Sequence, residues 1–311
     1  MGRSQFIRNE SPGRRIVGVR VARARPSGTV LMDSNSFHAA DRKVTLVTTS
    51  WDDGDRSDLR LAELLRSRGI GGTFYVPILP YNGRTSLTPA DLRTLSSEGF
   101  EIGAHGFSHK LLWGLSVKEL ASEIDPCKPR LEQILGSEVQ MFCYPRGRYN
   151  TNVVHALRGA GYRGARTVQM LSTELSFRPF EMPTTLQVFP HRISGYLKNV
   201  TRSRMKGLGV CLTYGAKLTD WLDLGKAIFD TVLESGGVWH LYGHSWEIEQ
   251  LGLWDHLAEL LDHVSGRKEV TYLSNGELLE FRHSGGFSGQ MRLSSKGNCP
   301  ESHIHSSSGL S

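Results

Sequence analysis

Two adjacent carboxylates, Asp52 and Asp53, stand in the segment 51–55 (WDDGD) of this 311-residue chain. Ionised carboxylates that share a site away from water raise each other's pKa, and a nearby cation or a shared proton removes that cost. This pair could therefore do acid–base or metal chemistry. The simpler interpretation is an Asp53-Gly54 turn, with Asp55 or Ser57 capping the helix that follows.

Two histidines, His105 and His109, are spaced four residues apart in the segment 105–109 (HGFSH). If the chain between them forms a helical turn, both imidazoles can point at one position. Neutral imidazole is a common ligand of divalent transition metals, and two histidines with one carboxylate leave coordination positions for water and substrate. Chance spacing of two surface histidines is the alternative.

Two further segments combine aromatic, cationic and histidine side chains. The segment 142–150 (FCYPRGRYN) has the proline, glycine and aromatic residues of a rigid loop, with two arginines within reach of an anionic partner. The segment 239–247 (WHLYGHSWE) contains His240, His244, two tryptophans and Glu247. Histidine suits proton donation near neutral pH, and tryptophan faces stack on sugar rings. An exposed loop with incidental histidines is the alternative for the second segment.

Short apolar runs typical of strands alternate with helical patterns along the chain, which predicts a mostly parallel sheet with helices outside it. Strands are predicted near 44–48, 72–76, 100–104, 139–143, 164–168, 209–213, 238–242 and 270–273. No GxGxxG follows a strand and no GxxxxGK[ST] occurs, which argues against dinucleotide and nucleoside-triphosphate sites. A barrel of seven or eight units fits best. All four segments follow predicted strands, so they share the face where such folds place catalytic groups.

Composition divides the chain into three parts. Residues 1–42 are Arg-, Ser- and Gly-rich and predict a flexible basic arm, 43–282 predict a single catalytic domain, and 283–311 predict a disordered Ser/Gly-rich tail. The net charge of +6 is concentrated in the arm, so nucleic-acid binding is not expected. The four cysteines are scattered without a CxxC pair. No apolar run suits a membrane segment or a secretory signal, and a cytoplasmic location is expected.

The four segments together resemble the motifs of the polysaccharide deacetylases, also called the NodB-homology group or carbohydrate esterase family 4. Residues 50–54 (SWDDG) resemble its TFDDG element, and 105–109 its H-[ST]-x-x-H element, with Gly106 in place of Ser or Thr. Residues 142–147 are similar to its proline-rich loop, and His244 to its late histidine. The resemblance covers roughly 43–280. It implies a distorted (β/α)7-type barrel and hydrolysis of acetyl groups on sugars.

The resemblance also implies residue roles. Asp52 corresponds to the general base, while Asp53, His105 and His109 correspond to ligands of a divalent metal, with Zn2+ preferred and Co2+ or Ni2+ as alternatives. His244 corresponds to the general acid, with His240 as the fallback.

Two departures from the family pattern affect the remaining assignments. Cys143 replaces the arginine of the third element, so Arg146 or Arg166 is expected to orient the base. The acidic residue and tryptophan of the fourth element have no match, since Asp220-Trp221 resembles a helix start. Tyr144 and Trp246 are expected to contact the sugar, and Trp239 is a further candidate. The residues assigned to substrate binding or orientation are Tyr144, Arg146, Arg166, His240 and Trp246.

The predicted function is a metal-dependent hydrolase that removes an N-acetyl or other small acyl group from a sugar or saccharide-containing substrate. Two alternatives stay open at this point. One is a non-catalytic carbohydrate-binding protein on a deacetylase scaffold. The other is an iron oxygenase that uses two histidines and one carboxylate, although the usual β architecture of such enzymes disagrees with the alternating pattern seen here.

Overall fold

The computed structural model describes residues 43–202 and 207–283, so the predicted arm 1–42 and residues 284–311 of the predicted tail lie outside the described residues. Parallel strands in these ranges form one curled sheet. The strands are β1 (Thr45–Asp52), β2 (Thr73–Val76), β3 (Glu101–Ala104), β4 (Met141–Cys143), β5 (Gly164–Arg166), β6 (Leu186–Gln187), β7 (Gly237–Gly243) and β8 (Val270–Leu273).

Helices connect the strands and cover the outside of the sheet. They are α1 (Asp58–Arg66), α2 (Pro89–Ser97), α3 (Val117–Ile124), α4 (Cys127–Leu135), α5 (Thr151–Gly159), α6 (Ile193–Arg202), α7 (Leu208–Thr213), α8 (Trp221–Ser235), α9 (Ser245–Leu251), α10 (Trp254–Val264) and α11 (Asn275–His283). Thr88 and Ser116 begin α2 and α3 with reciprocal capping boxes. Asp220 caps α8, and Pro126 separates α3 from α4.

The strand order β5-β4-β3-β2-β1-β7-β6 gives the distorted (β/α)7-type barrel that the resemblance implied. The central strand β1 pairs with β7 over Thr45–Trp51, while β8 pairs with its first half and β2 with its second half. The barrel is open between β5 and β6. The chain between these strands fills the opening, because Met182 hydrogen-bonds to β5 and Thr185 to β7.

Period-two alternation along β1 separates two cores. Val47 and Trp51 pack outward with the residues beneath the helices, whereas Leu46 packs inside the barrel with side chains that include those of α11. Thr48, Ser50 and Asp52 have the same parity as Leu46 and therefore point into the barrel. Asp52, the last residue of β1, therefore places its side chain at the carboxyl end of the sheet. In parallel barrels the catalytic groups lie at this end.

The structure corrects one predicted strand and adds elements that the pattern did not indicate. Residues 209–213, predicted as a strand, lie in the short helix α7. Their short apolar run fits either period, so periodicity alone could not separate strand from helix. The two-residue strand β6 and the helices α6 and α9 were not predicted. In the described ranges, no helix is both long and apolar enough to cross a membrane.

Candidate functional site

The carboxyl end of β1 supplies both adjacent carboxylates, and a sharp turn directs them to different places. Asp53 and Gly54 both have positive φ, of 80° and 61°. A Cβ at Gly54 would lie 2.8 Å from Cγ1 of Val76, so only glycine fits that position. Asp52 remains inside the barrel, and both carboxylates are buried. The sequence therefore forms a turn here, as the simpler interpretation held, and also places two carboxylates at one strand end.

His105 and His109 meet without the helical turn that their spacing suggested. Residues 105–109 form an irregular loop after β3, in which Gly106 and His109 both have positive φ. The two imidazole rings lie 4.7 Å apart between centroids. Glu123 of α3 holds the loop, because its carboxylate accepts hydrogen bonds from the backbone N–H and the hydroxyl of Ser108 at 2.9 and 2.6 Å.

Both histidines direct Nε2 at the same carboxylate oxygen. Nδ1 of His105 donates to the carbonyl oxygen of Cys143 at 2.8 Å, which leaves Nε2 as the free ring nitrogen. The Nε2 atoms of His105 and His109 lie 3.6 and 3.2 Å from Asp53 Oδ1. Zinc ligands at about 2.0–2.2 Å in a tetrahedron are separated from each other by about 3.3–3.5 Å. The three donor atoms are therefore spaced as they would be around one ion.

The remaining contacts of Asp53 also fit a divalent ion. Oδ1 is buried and has no hydrogen-bond partner within the described part of the chain, whereas Oδ2 accepts a hydrogen bond from Nε1 of Trp246 at 2.9 Å. Burial would raise the pKa of Asp53, but the imidazole of His109, close to its Oδ1, and the nearby His105 and His244 lower it. Burial lowers the pKa of His105 to about 4. At neutral pH, Asp53 is ionised and His105 is neutral, which are the protonation states that bind metal.

Asp52 forms a buried ion pair with Arg166, the last residue of β5. The guanidinium Nη2 donates to Asp52 Oδ1, and Arg166 is fully buried. Burial would raise the pKa of Asp52, but Arg166, followed by His105 and His244, lowers it below 3.8. The thiol of Cys143 lies 3.6 Å from Oδ2 of the same carboxylate. Of the two arginines that the sequence offered, Arg166 contacts the candidate base.

Arg146 is exposed in the loop after β4, away from this pair. Arg146 was one of two arginines expected to orient Asp52, because Cys143 replaces the arginine of the family pattern. In the structure, Arg166 contacts Asp52 instead. The reason is directional: the loop at Arg146 has left the sheet, with a positive φ of 57°, while Arg166 still belongs to a strand and occupies a position whose side chain points inward.

His244 lies at the level of Asp52, just beyond the end of β7. Its Nε2 is 3.9 Å from Asp52 Oδ2, and its Nδ1 donates to Glu247 Oε2 at 2.6 Å. Burial would lower the pKa of His244, but the hydrogen bond to Glu247 and the charge of Asp52 raise it above 6.5. Glu247 also accepts a hydrogen bond at 3.3 Å from Gln187. Glu247 thus contacts both His244 and Gln187.

His240 lies deeper in the barrel than His244. In the register of β1 and β7, His240 pairs with Thr48, four residues below Asp52. Its Nδ1 donates to the carbonyl of Pro183 at 2.9 Å, so its Nε2 accepts from the hydroxyl of Ser50 at 2.9 Å. Burial lowers its pKa to about 3. The fallback assignment of His240 as general acid therefore fits the structure less well than that of His244.

The aromatic residues expected to contact a sugar have other neighbours in the structure. Tyr144 is fully buried, donates to the carbonyl of Phe180 at 3.0 Å, and stacks on Tyr149. Trp239 is also fully buried. Neither ring presents a face to solvent, because both belong to packed layers of the barrel. Trp246 lies beside the candidate metal ligands and donates to Asp53, so it orients a ligand.

The sequence did not single out several residues that border this site. Tyr81 and Arg84 come from the loop after β2, where the ring of Tyr81 lies 4.0 Å from that of His109 and the guanidinium of Arg84 lies 3.8 Å above Trp246. Glu123 and Gln187 support site residues from α3 and β6. Only the position of the β2 loop, at a strand's carboxyl end, could have indicated any of them in advance.

Comparisons with known proteins agree with the geometry. Residues 39–165 match the polysaccharide deacetylase family, which confirms the resemblance over that region. The region includes Asp52, Asp53, His105 and His109 and ends before Arg166 and His244. YxkH of Bacillus subtilis, which its name assigns provisionally to the polysaccharide deacetylases, is 25% identical over 128 residues. That match covers 41% of this chain and 45% of YxkH, so the chain spans less than half of that relative.

Two solved structures are similar to this chain to different degrees. A Mycobacterium smegmatis protein, also assigned provisionally as a polysaccharide deacetylase, has 18% sequence identity and a TM-score of 0.56, over 79% of this chain and 92% of that protein. The chitin deacetylase of the fungal pathogen Colletotrichum lindemuthianum has 16% identity and a TM-score of 0.49, over 75% and 86% of the two chains. At this identity, the first likeness establishes the barrel architecture.

Proposed function

We propose, from the match of residues 39–165 to the polysaccharide deacetylases, that this protein is a metal-dependent hydrolase that removes an N-acetyl or other small acyl group from a sugar or saccharide-containing substrate. The observation that carries the proposal is the buried, unpartnered Oδ1 of Asp53, which faces two imidazole nitrogens at 3.2 and 3.6 Å. Asp52 and His244 lie at the same end of the barrel and provide a base and an acid.

Asp53, His105 and His109 would hold the divalent ion, and their nitrogen and carboxylate donors suit zinc, with cobalt or nickel as alternatives. When bound, such an ion polarises an acyl oxygen and lowers the pKa of a bound water. The hydrogen bond from Trp246 to Oδ2 of Asp53 keeps that oxygen engaged, so Oδ1 is the atom available to the ion.

Asp52 would act as the general base. Its lowered pKa keeps it ionised at neutral pH and able to accept a proton from the attacking water. Arg166 fixes Oδ1, so Oδ2 is the oxygen that faces the site, together with His244. The ion pair holds one oxygen of the carboxylate through Nη2 of Arg166.

His244 would act as the general acid. Its Nδ1 is committed to Glu247, so Nε2 is the nitrogen that presents a proton toward the site. The raised pKa keeps the imidazole protonated over more of the neutral range, ready to donate to the departing nitrogen. The acid and the base thus approach from β7 and β1, neighbouring strands of the sheet.

The test measures acetate and formate release from a panel of N-acylated sugars, with zinc added and then removed by a chelator. We expect acyl release that depends on the metal. Asp52→Asn should abolish turnover while the metal stays bound, because the amide cannot accept the proton. Retained turnover in that variant would contradict the base assignment. Tight sugar binding without acyl release at any metal would favour the non-catalytic alternative, and oxygen-dependent turnover would favour the oxygenase.

The expected cytoplasmic location belongs to the same proposal. A soluble precursor would then be a more accessible substrate than a cell-wall polymer. Fractionation of cells, with the protein detected by antibody in the cytoplasmic or the exported fraction, tests the location separately from the activity.

A further inference from the structure

Four loops at the carboxyl end of the sheet carry cations and no carboxylate. They follow β2, β3, β4 and β6 and comprise residues 77–88, 105–116, 144–150 and 188–192. Their cationic residues are Arg84, Lys110, Arg146, Arg148 and Arg192. Lys110 lies 3.5 Å from Glu123, so its charge is partly compensated. Four of the loops around the candidate site therefore carry positive side chains and no acidic ones.

Several acidic residues near this face are hydrogen-bonded or ion-paired within the protein. Asp55 accepts hydrogen bonds from the backbone and hydroxyl of Ser57. Three acids in the first turns of the surrounding helices also accept hydrogen bonds. Asp91 accepts from Thr88 and Arg56. Glu119 accepts from Ser116, and Glu247 from His244. These acids are hydrogen-bonded or ion-paired within the protein, so the arginines of the loops remain available to an external anion.

Arg84 is held beside the metal ligands. Its guanidinium lies 3.8 Å above the ring of Trp246, and Nε1 of that indole donates to Asp53 at 2.9 Å. In the same loop, Tyr81 packs against His109. Arg84 is thus separated from Asp53 by the indole ring of Trp246, and its loop also contacts His109.

The guanidinium of Arg84 has an unused donor. Its Nε is buried and makes no hydrogen bond to the described residues. That nitrogen is shielded from solvent, but the terminal guanidinium nitrogens belong to a partly exposed side chain and have no hydrogen bond or ion pair to the described residues. Stacking on an indole fixes the guanidinium plane, and its terminal nitrogens match the two oxygens of a carboxylate or phosphate.

A second arginine–tryptophan pair repeats the arrangement on neighbouring loops. Arg148, after β4, lies 5.4 Å from the ring of Trp113, after β3, and the Trp113 residue is 52% exposed. An exposed indole offers a face to a sugar ring, and the arginine beside it adds a positive charge. Arg148 and Trp113 therefore offer a positive charge and an aromatic face to a second sugar unit of an oligosaccharide.

We propose that the substrate is an anionic saccharide, an N-acylated sugar with a carboxylate or phosphate close to the acyl group, and that Arg84 binds this anion. The inference rests on the proposed function, because it places the acyl group at Asp53, His105 and His109. It assigns a substrate class to the site, and it assigns anion recognition to a residue that no catalytic step uses.

The test compares three N-acetylated oligosaccharides of equal length: one neutral, one with a carboxymethyl group on O3, and one with a phosphate on O3, the oxygen next to the N-acetyl group at C2. The zinc-loaded protein should show a higher kcat/KM for at least one anionic substrate than for the neutral one, and salt should reduce the difference. Arg84→Gln should lower the ratio of anionic to neutral kcat/KM about tenfold or more, the value of a hydrogen bond to a charged group. Arg84→Lys, which keeps the charge, should retain part of the ratio.

The matched control is Arg66→Gln. It removes one charge from the last turn of α1, at the opposite end of the barrel, and should leave the ratio unchanged. A preference for carboxylate or for phosphate identifies the source of the anion, and either supports the inference. Equal kcat/KM on all three substrates, or an equal ratio in the Arg84→Gln variant, would overturn it.

Failure of the proposed function is distinguishable from failure of this inference. If no substrate is hydrolysed, binding of the three saccharides is measured by calorimetry on the wild-type protein and on Arg84→Gln. Binding of an anionic saccharide that depends on Arg84 would support the substrate class while refuting the hydrolase. If binding depends neither on the charge of the saccharide nor on Arg84, the inference is overturned whether or not turnover occurs.

Discussion

Replacing Arg166 with methionine should leave Asp52 as a buried carboxylate without a counter-ion. Both side chains are almost completely buried, and the guanidinium contacts Asp52 directly. Removing one partner of a buried ion pair costs about 3–5 kcal/mol of folding free energy. In a domain of this size each kcal/mol lowers the melting temperature by about 2–4 °C, so the variant should melt about 6–20 °C below the wild type.

The deficit should depend on pH in a defined direction. In the wild type the folded-state pKa of Asp52 lies below 3.8, because Arg166 and the two nearby histidines outweigh burial. The ion pair of Asp52 with Arg166 therefore stabilises the folded state above pH 3.8. This stabilisation is lost as the pH falls through the folded-state pKa of Asp52. Without Arg166, burial raises the pKa above this value. The stability deficit of the Arg166→Met variant should therefore be largest near pH 7 and shrink toward pH 4.

Thermal unfolding followed by circular dichroism at several pH values measures both effects, on metal-free and zinc-loaded protein. The double variant Asp52→Asn, Arg166→Met removes both charges and should be more stable at pH 7 than Arg166→Met alone. The control is Arg163→Met, since Arg163 pairs with Glu138 and Glu280 at the surface, where such pairs contribute about 1 kcal/mol or less. A deficit that is equal at pH 4 and pH 7, or additive with Asp52→Asn, would refute the ion-pair argument.

Two further variants probe the residues that orient the site. Glu247→Gln removes a charge that raises the pKa of His244, so the pH above which kcat/KM declines should fall, measured from the pH–rate profile. Trp246→Phe removes the hydrogen bond to Oδ2 of Asp53, so zinc affinity should fall about tenfold, the usual effect of losing a partner that orients a ligand, measured by competition with a chromophoric chelator.

Each of these variants has a matched control on the chain. Glu249→Gln lies two residues from Glu247 but contacts Arg60 and Trp254, so it should leave the pH–rate profile unchanged. Trp254→Phe removes an indole that donates to Glu249 instead of Asp53, so zinc affinity should stay the same. An unshifted profile in Glu247→Gln, or unchanged zinc affinity in Trp246→Phe, would show that these contacts do not orient the site.

The sequence predicted where the strands end more reliably than how deep inside the barrel each side chain lies. Apolar runs located β1 and β7, and their carboxyl ends indicated where polar residues would gather. His240 and His244 have the same parity, so both were candidates for the general acid. The pairing of His240 with Thr48 places it four residues below Asp52, about 13 Å along the strand. That register is set by tertiary pairing, which local pattern does not encode.

The loops were less predictable for a related reason. Tyr144 and Trp246 both follow predicted strands and both have aromatic rings suited to a sugar. Tyr144 is buried against Tyr149 and Phe180, while Trp246 reaches the carboxylate of Asp53. Which ring faces solvent depends on how separate loops pack against each other, and sequence spacing carries no information on that packing.

Arg166, which pairs with Asp52, lies on the strand next to the position where the family pattern has an arginine. Cys143 stands where the family pattern has an arginine, and the register of β4 and β5 pairs Cys143 with Arg166. Directly paired residues on neighbouring parallel strands point to the same face, and the strands are only about 4.8 Å apart. A guanidinium from the neighbouring strand can therefore reach the same carboxylate. The small side chain of Cys143 leaves room for it, with its thiol 3.6 Å from Asp52, so the departure in one motif and the buried arginine of the next strand are two parts of one arrangement.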